Sequence, residues 1–317
     1  MKALITGGAG FIGSAVARRL LDEGHSVAVI DDLNDFYAPA LKRSNLADIG
    51  LLDTPAFHHA DICDTERVHQ IIAHEKPDTI VHMAARAGVH SSLADPVLYE
   101  RVNVLGTVNV LEGCRKAGVG KLVFASSSSI YGIANRVPFS EDDHVNLPIS
   151  PYAATKIAGE KLCFTWSHLY GLRVVCLRFF TVYGPRQRPD LAIRKFTSLI
   201  DRGQKVPVFG DGSTGRDYTF IDDIVSGVRA ALNYDTPYDV FNLGNSSPVT
   251  LSHLIRLIED ALGKKAVLER LPDQPGDVPI TFADISKSQR LLRYRPATPL
   301  AEGIRKFVDW FRQSPDP

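Results

Sequence analysis

The chain has 317 residues, and 36 Lys plus Arg are balanced by 36 Asp plus Glu, so the formal net charge is zero with His neutral. That balance argues against a nucleic-acid binder whose affinity comes from phosphate neutralisation, and 44% hydrophobic with 23% charged residues is an ordinary globular composition long enough for roughly two domains. No apolar run approaches the ~20 residues of a membrane helix, and the N-terminus lacks the apolar core of a signal peptide.

Taken in order, Lys2 to Thr6 predicts a strand, followed by a Gly-rich turn and a helix over Gly13 to Glu23. Ser26 to Ile30 predicts the next strand, Phe57 to Ala60 a weaker one, Thr65 to His74 a helix, and Thr79 to His82 a strand after Pro77. Tyr99 to Ala117 predicts one long helix and Lys121 to Ala125 a strand. Pro151 to Tyr170 predicts a helix with Ser150 as N-cap and Pro151 in its first turn. Arg173 to Arg178 predicts a further strand. Strands alternating with helices mean an α/β fold with a doubly wound parallel sheet covered on both faces.

After Tyr183 the texture changes, and Pro, Gly and Asp become frequent. A helix is predicted near Ile193 to Arg202, a strand near Val206 to Phe209 and a helix near Ser252 to Leu262, while Val240 to Leu243 reads as one more strand of the first sheet. The implied organisation is a nucleotide-binding domain over 1–180 plus about 217–246, and a smaller interwoven substrate-binding domain over 181–216 plus 247–317. The ligand belongs in the crevice between them.

The turn Thr6-Gly7-Gly8-Ala9-Gly10-Phe11-Ile12-Gly13 follows a strand and opens a helix. Glycines at this spacing permit a tight turn and close approach of backbone to a pyrophosphate seated at the helix N-terminus. Asp31, followed by Asp32, ends the second strand, where a carboxylate accepts from ribose hydroxyls and repels a 2′-phosphate. With neither Arg nor Lys between Asp31 and Ala40, the expected cofactor is NAD rather than NADP.

Tyr152 and Lys156 stand four residues apart on a predicted helix and project from one face. A phenol with pKa near ~10 is a poor base at neutral pH, but a neighbouring ammonium favours the phenolate and is expected to lower that pKa. Ser126-Ser127-Ser128-Ser129 follows a strand whose carboxyl end faces the crevice, so one hydroxyl can relay a proton to Tyr152. His58 and His59 are adjacent and the other histidines scattered, which suggests no metal site. Cys63, Cys114, Cys163 and Cys176 lack metal or redox spacing and read as free thiols in a reducing cytoplasm.

These motifs resemble the extended short-chain dehydrogenase/reductase superfamily, specifically the NAD-dependent nucleotide-sugar epimerases, over nearly the whole chain. The resemblance implies a Rossmann fold, with Ser127, Tyr152 and Lys156 as the catalytic set. It also implies that Gly7, Gly10, Phe11, Ile12, Gly13, Asp31, Asp32, Asn34, Asp61, Ile62, Ala84, Ala85, Arg86, Asn103 and Phe179 meet NAD, together with Tyr152 and Lys156. Dehydratases of the superfamily carry Asp-Glu after the catalytic Ser or Thr, where this chain has Ser128-Ser129. Without such an acid, the simplest fate of a 4-keto sugar is return of the hydride to its opposite face.

The run from Phe179 through Thr181 and Arg188 to Asp190 resembles UDP-glucuronate 4-epimerases, which implies that Arg188 meets the sugar carboxylate and that Thr181, Ser128 and Ser129 line the sugar site. A guanidinium suits a carboxylate bidentately. Gly210 to Tyr218 resembles the segment whose Arg, here Arg216, meets the UDP phosphates, and Gln274 to Val278 the segment whose Asp, here Asp277, reaches the uridine ribose. Thr281 stands where a bulky residue in some relatives blocks N-acetylated sugars. Arg86 and His90 depart from the Gln and Arg common in glucuronate epimerases. The expected function is therefore 4-epimerisation of a UDP-sugar, UDP-glucuronate to UDP-galacturonate, by a cytoplasmic homodimer. UDP-glucose or UDP-GlcNAc is the alternative substrate, and a net oxidoreductase or a non-catalytic NAD-binding regulator is the rival from another class.

Overall fold

Short, nearly continuous apolar strands build the larger sheet, as a sheet buried on both faces requires. The computed structural model describes residues 1–133, 136–272 and 280–313. In it the strands β1 (Lys2–Thr6), β2 (Ser26–Asp31), β3 (Phe57–His59), β4 (Thr79–His82), β5 (Lys121–Ser127), β6 (Arg173–Phe179) and β10 (Tyr238–Leu243) form one seven-stranded sheet. All its pairs are parallel, in the order β10-β6-β5-β4-β1-β2-β3. Successive residues serve opposite faces: Ala3, Ile5, Val123 and Val175 enter one core, while Leu4, Leu122, Phe124 and Val174 enter the other.

Helices cover both faces, as a parallel sheet requires. α1 (Phe11–Asp22), α2 (Pro39–Asp48) and α9 (Ile221–Asn233) pack on the first face, and α3 (Thr65–Glu75), α6 (Gly106–Ala117) and α7 (Pro151–Tyr170) on the second. Ser150 caps α7 by accepting the Ala153 N–H at 3.1 Å, and Gly171 ends it in the left-handed conformation. The order reverses between β1 and β4, and the crevice outside their carboxyl ends is the topological switch point where such sheets bind ligands.

The rest of the chain is built differently. β7 (Thr181–Tyr183), β9 (Gly215–Phe220), β11 (Pro248–Thr250) and β13 (Ile280–Thr281) form a four-stranded sheet, and β8 (Lys205–Phe209) pairs with β12 (Val267–Leu271). α8 (Ala192–Asp201), α10 (Leu251–Leu262) and α12 (Leu300–Gln313) pack around them, while α11 (Ser286–Leu292) docks on β10. The chain thus leaves the large sheet after β6 and returns to it with α9 and β10.

Three local differences from the predicted elements matter. The single helix predicted over Tyr99 to Ala117 is interrupted: α4 (Val89–Ala94) and α5 (Pro96–Glu100) lead into a π-helical turn at Arg101–Leu105 before α6 begins. The turn carries Asn103, whose side chain is drawn into a buried hydrogen-bond network. β5 runs on through Ser126 and Ser127, because the Ser126 hydroxyl finds a buried partner rather than solvent. Finally, α2 is mostly polar and carries no apolar stripe long enough to read, yet it packs against α1.

Candidate active site

The cofactor cradle is made by backbone. Gly7 has φ +70°, and a Cβ there would stand 2.7 Å from the Ala84 nitrogen. A Cβ at Gly13 would collide with the Gly7 carbonyl oxygen. α1 has neither a side-chain cap nor an acidic residue in its first turn. Its free N–H groups, at Phe11, Ile12 and Gly13, therefore face a crevice of about 380 Å³ with their positive end, while the Gly10 N–H closes the turn onto the Gly7 carbonyl. This geometry fits the pyrophosphate of a dinucleotide.

Asp31 and Asp32 line the same crevice with Asn34, Asp61 and Ile62. Asp31 is anchored by the Ala9 N–H at 3.0 Å and the Leu33 N–H at 2.9 Å, and burial pushes its pKa up while Lys42 opposes the shift. Asp32 is turned into its own loop, accepting the Asn34 N–H at 3.1 Å and its side-chain amide at 2.5 Å. Lys42, just beyond the stretch that sequence reading found free of cations, donates to the Asn34 carbonyl at 2.7 Å and lies over the Tyr37 ring. It lines the crevice with Phe36 and Tyr37 of the loop before α2, none of which a sequence motif marks.

Ala84, Ala85 and Arg86 follow β4 into the crevice wall. Asn103 does not line it but holds its frame: its carbonyl oxygen accepts the Arg86 N–H at 2.8 Å, and its amide donates to the Arg86 carbonyl at 2.9 Å and to Thr155 Oγ1 at 3.0 Å. Behind it runs a string of buried hydrogen bonds. The Ala84 N–H donates to Thr6 Oγ1 at 3.2 Å, Thr6 Oγ1 meets His82 Nδ1 at 2.6 Å, His82 Nε2 meets Thr107 Oγ1 at 3.0 Å, and Thr107 donates to the Asn103 carbonyl at 2.6 Å. Because the Thr107 proton is committed to that carbonyl, His82 Nε2 must donate and its Nδ1 accept from Thr6. Burial pushes the His82 pKa down to about 3, which keeps the ring neutral.

Ser127, Ser128, Ser129, Tyr152, Lys156, Phe179, Thr181 and Arg188 complete the wall. The fully buried Tyr152 phenol has its pKa pushed up by desolvation, against the pull of a hydrogen bond with Ser127 and the Arg188 charge. The lowering expected from Lys156 is therefore not present in the protein alone. Lys156 points elsewhere: its Nζ donates to the Ala125 carbonyl at 2.7 Å and lies 5.0 Å over the Phe124 ring, and burial lowers its pKa to about 8. Among the serines, Ser126 is committed to Glu160, while Ser127 donates to Ser129 Oγ at 3.1 Å and accepts the Ser129 N–H at 3.2 Å.

Arg188 reaches into the crevice, 5.1 Å from the centre of the Phe36 ring, with Arg86 on the same ring at 5.8 Å. Asp190 takes its Nε and Nη2 edge in a fork, at 3.0 and 2.8 Å. Arg216 lies on β9 in the smaller sheet, level with Thr281 of β13, and donates to the Gly215 carbonyl at 2.8 Å; it is not in the wall of this crevice. Gln274 and Asp277 lie outside the described residues. Among the described residues no group of three or more His, Cys, Asp or Glu is placed to hold a metal ion, and no helix is long and apolar enough to cross a membrane.

Comparison with known proteins fits this geometry. Residues 3–244 match the NAD dependent epimerase/dehydratase family. A UDP-glucuronate 4-epimerase of Thermodesulfobacterium geofontis is 42% identical over 312 residues, 98% of this chain and 96% of that one. The crystal structure of UDP-glucuronic acid 4-epimerase from Bacillus cereus, in complex with UDP-glucuronic acid and NAD, superposes with a TM-score of 0.91 at 35% identity over 99% of both chains. That of Thermus thermophilus UDP-glucose 4-epimerase with NAD gives 0.90 at 35% identity, over 99% of this chain and 100% of that one. The chain belongs to the NAD dependent epimerase/dehydratase family.

Proposed function

Proceeding from that membership, we propose that the protein interconverts UDP-glucuronate and UDP-galacturonate as an NAD-retaining 4-epimerase. The observation that carries this reading is the arrangement of Tyr152 and Ser127 in the wall that the Gly7–Gly13 cradle opens, with the Arg188 guanidinium close enough to act on the same phenol. NAD supplies reversible hydride acceptance at C4, so the reaction has no net redox change.

The chain's own residues do the rest. Tyr152 takes the C4 hydroxyl proton through or beside Ser127 and returns it after the keto-sugar has turned over. Its phenol pKa, raised by burial in the protein alone, falls when a cationic nicotinamide ring stands beside it. Lys156 holds the cofactor ribose. Arg188 is already shaped to a carboxylate by Asp190, and its Nη1 edge is the one to turn towards the C6 carboxylate of the sugar. Arg216 and Asp277 are assigned to the UDP end. With Ser128 and Ser129 where an acid pair would promote elimination, the 4-keto sugar is returned as the epimer.

We read 1–180 with about 217–246 as the NAD-binding half and 181–216 with 247–317 as the UDP-sugar half. A homodimer is proposed from the exposed Leu93, Val97, Leu105, Phe164, Leu169 and Tyr170 on and around α4 to α7. A cytoplasmic location is proposed because four free thiols suit a reducing compartment. The second reading, UDP-glucose and UDP-galactose, draws on the Thermus thermophilus similarity. Separate incubation with UDP-glucuronate, UDP-glucose and UDP-GlcNAc, followed by NMR of the C4 configuration, decides among them. Absence of a 4-epimer from all three would remove the epimerase reading.

A further inference from the structure

Three successive residues at the carboxyl end of β5 are each gripped by α7. Lys156 Nζ donates to the Ala125 carbonyl at 2.7 Å, Ser126 Oγ donates to Glu160 Oε1 at 2.6 Å, and Ser127 stands beside Tyr152 in the crevice wall, near enough for its hydroxyl to favour the phenolate. Tyr152, Lys156 and Glu160 are spaced by four and project from one helix face. Glu160 is itself clamped from β6, where Arg178 donates through Nε to Oε1 and through Nη2 to Oε2, both at 2.9 Å. Arg178 Nη1 also reaches Tyr131 Oη at 2.9 Å, and Tyr131 donates to Asn242 Oδ1 of β10 at 2.6 Å. Ser126, Glu160, Arg178, Tyr131 and Asn242 are all buried.

A buried ion pair is a weak source of stability, since apolar residues of similar volume serve a core as well or better. What a fully hydrogen-bonded buried network does supply is fixed position. We infer that Glu160 is a positioning residue of the proton relay: by holding Ser126 it pins the backbone immediately before Ser127 and so keeps the Ser127 hydroxyl on Tyr152. The inference rests on the proposed epimerase reaction and deepens it. Glu160 also faces Lys156 and its carboxylate favours the ammonium form, while the Cys163 and Cys176 side chains, the neutral His82 and the Phe124 ring complete the surroundings. Tyr152 is faced by Ser127, Arg188 and Tyr99.

The decisive variant is Ser126→Ala, which removes the anchor and leaves the Arg178–Glu160 pair intact. Its kcat is expected to fall about tenfold, a fraction of what a misdirected acid–base group can cost. Its KM for the UDP-sugar, its NAD content and its melting temperature stay near those of the wild type. The acid limb of the kcat–pH profile moves to higher pH, because the phenolate loses an aligned donor. Ser126→Thr restores the hydroxyl and recovers most of the rate. Glu160→Gln moves the acid limb in the same direction and also moves the alkaline limb to lower pH, because Lys156 loses a facing carboxylate. A wild-type kcat in Ser126→Ala overturns the inference, as does a rate that falls in step with melting temperature while both limbs stay in place. The outcomes are separable from failure of the function itself: product configuration in the wild type tests the epimerase, whereas the variant-to-wild-type ratio of cofactor reduction in a single turnover tests the anchor.

Discussion

The two walls of the crevice present groups of different kinds. On the cofactor side, from β1 to β4, the recognising groups are largely backbone: the Gly7–Gly13 turn, the uncapped start of α1 and the strand-end carboxylate Asp31, all within one stretch of chain. Across the crevice, Thr181 and Arg188 come from one segment far along the chain and act through side chains, Arg188 held in place by Asp190. A backbone cradle is written as a spacing of glycines. A side-chain cradle is written as single residues whose meaning depends on where their loops land. The first tolerates little change at few positions, and the second is where specificity can be retuned.

Substitutions on each wall put that contrast to measurement. Tyr152→Phe, where the walls meet, should lower kcat by about 10²–10⁴-fold with the protein still folded and loaded with NAD; rates within tenfold of wild type would take the proton transfer away from Tyr152. Gly7→Ala acts on the backbone side, adding about 1–2 kcal/mol of left-handed strain to a close contact with Ala84. The purified variant should carry little NAD by absorbance, and retained NAD would mean that the turn is less constrained than its φ implies. Arg188→Ala acts on the side-chain side and should cost about 10–100-fold in kcat/KM for UDP-glucuronate while sparing UDP-glucose. Equal losses on the two sugars would make Arg188 a general support of Phe36 and Tyr152 rather than a reader of the carboxylate.

The smallest effect is one of pH. Lys156 loses its proton as pH rises through about 8, well below the usual lysine range, so turnover should decline on the alkaline side from that point. Stability moves the other way. Between about 8 and the ordinary lysine pKa of ~10.4, the unfolded chain binds the proton that the folded one has lost, so this group makes folding more favourable as pH rises. Parallel decline of turnover and stability across that interval would point to another group.

The same contrast explains what the sequence revealed. The strands of the large sheet and the full span of α7 were legible, because short apolar runs between turns, a Ser-Pro start and a closing glycine are local signals. Lys42 was not, because α2 lacks an apolar stripe and its lysine folds back over Tyr37. Nor was the π-helical turn at Asn103, since helical periodicity continues through it and only the partners across space, Arg86 and Thr155, require it. No sequence motif assigns Ser126 a task of its own; Glu160 and Arg178 single it out in the fold. Arg216 shows the reverse order, a motif legible in sequence whose place on β9, level with Thr281, only the fold supplies.

The hydrogen-bonded string from Thr6 through His82 and Thr107 to Asn103 begins at a backbone N–H and ends at a backbone carbonyl. Neither end can accept and pass on a proton, so the string is a strut and not a conduit. A histidine buried under a catalytic pocket would ordinarily be a leak through which the reaction's proton reaches bulk water. Here the strut is insulated at both ends, and a proton taken up by Tyr152 finds no exit through it.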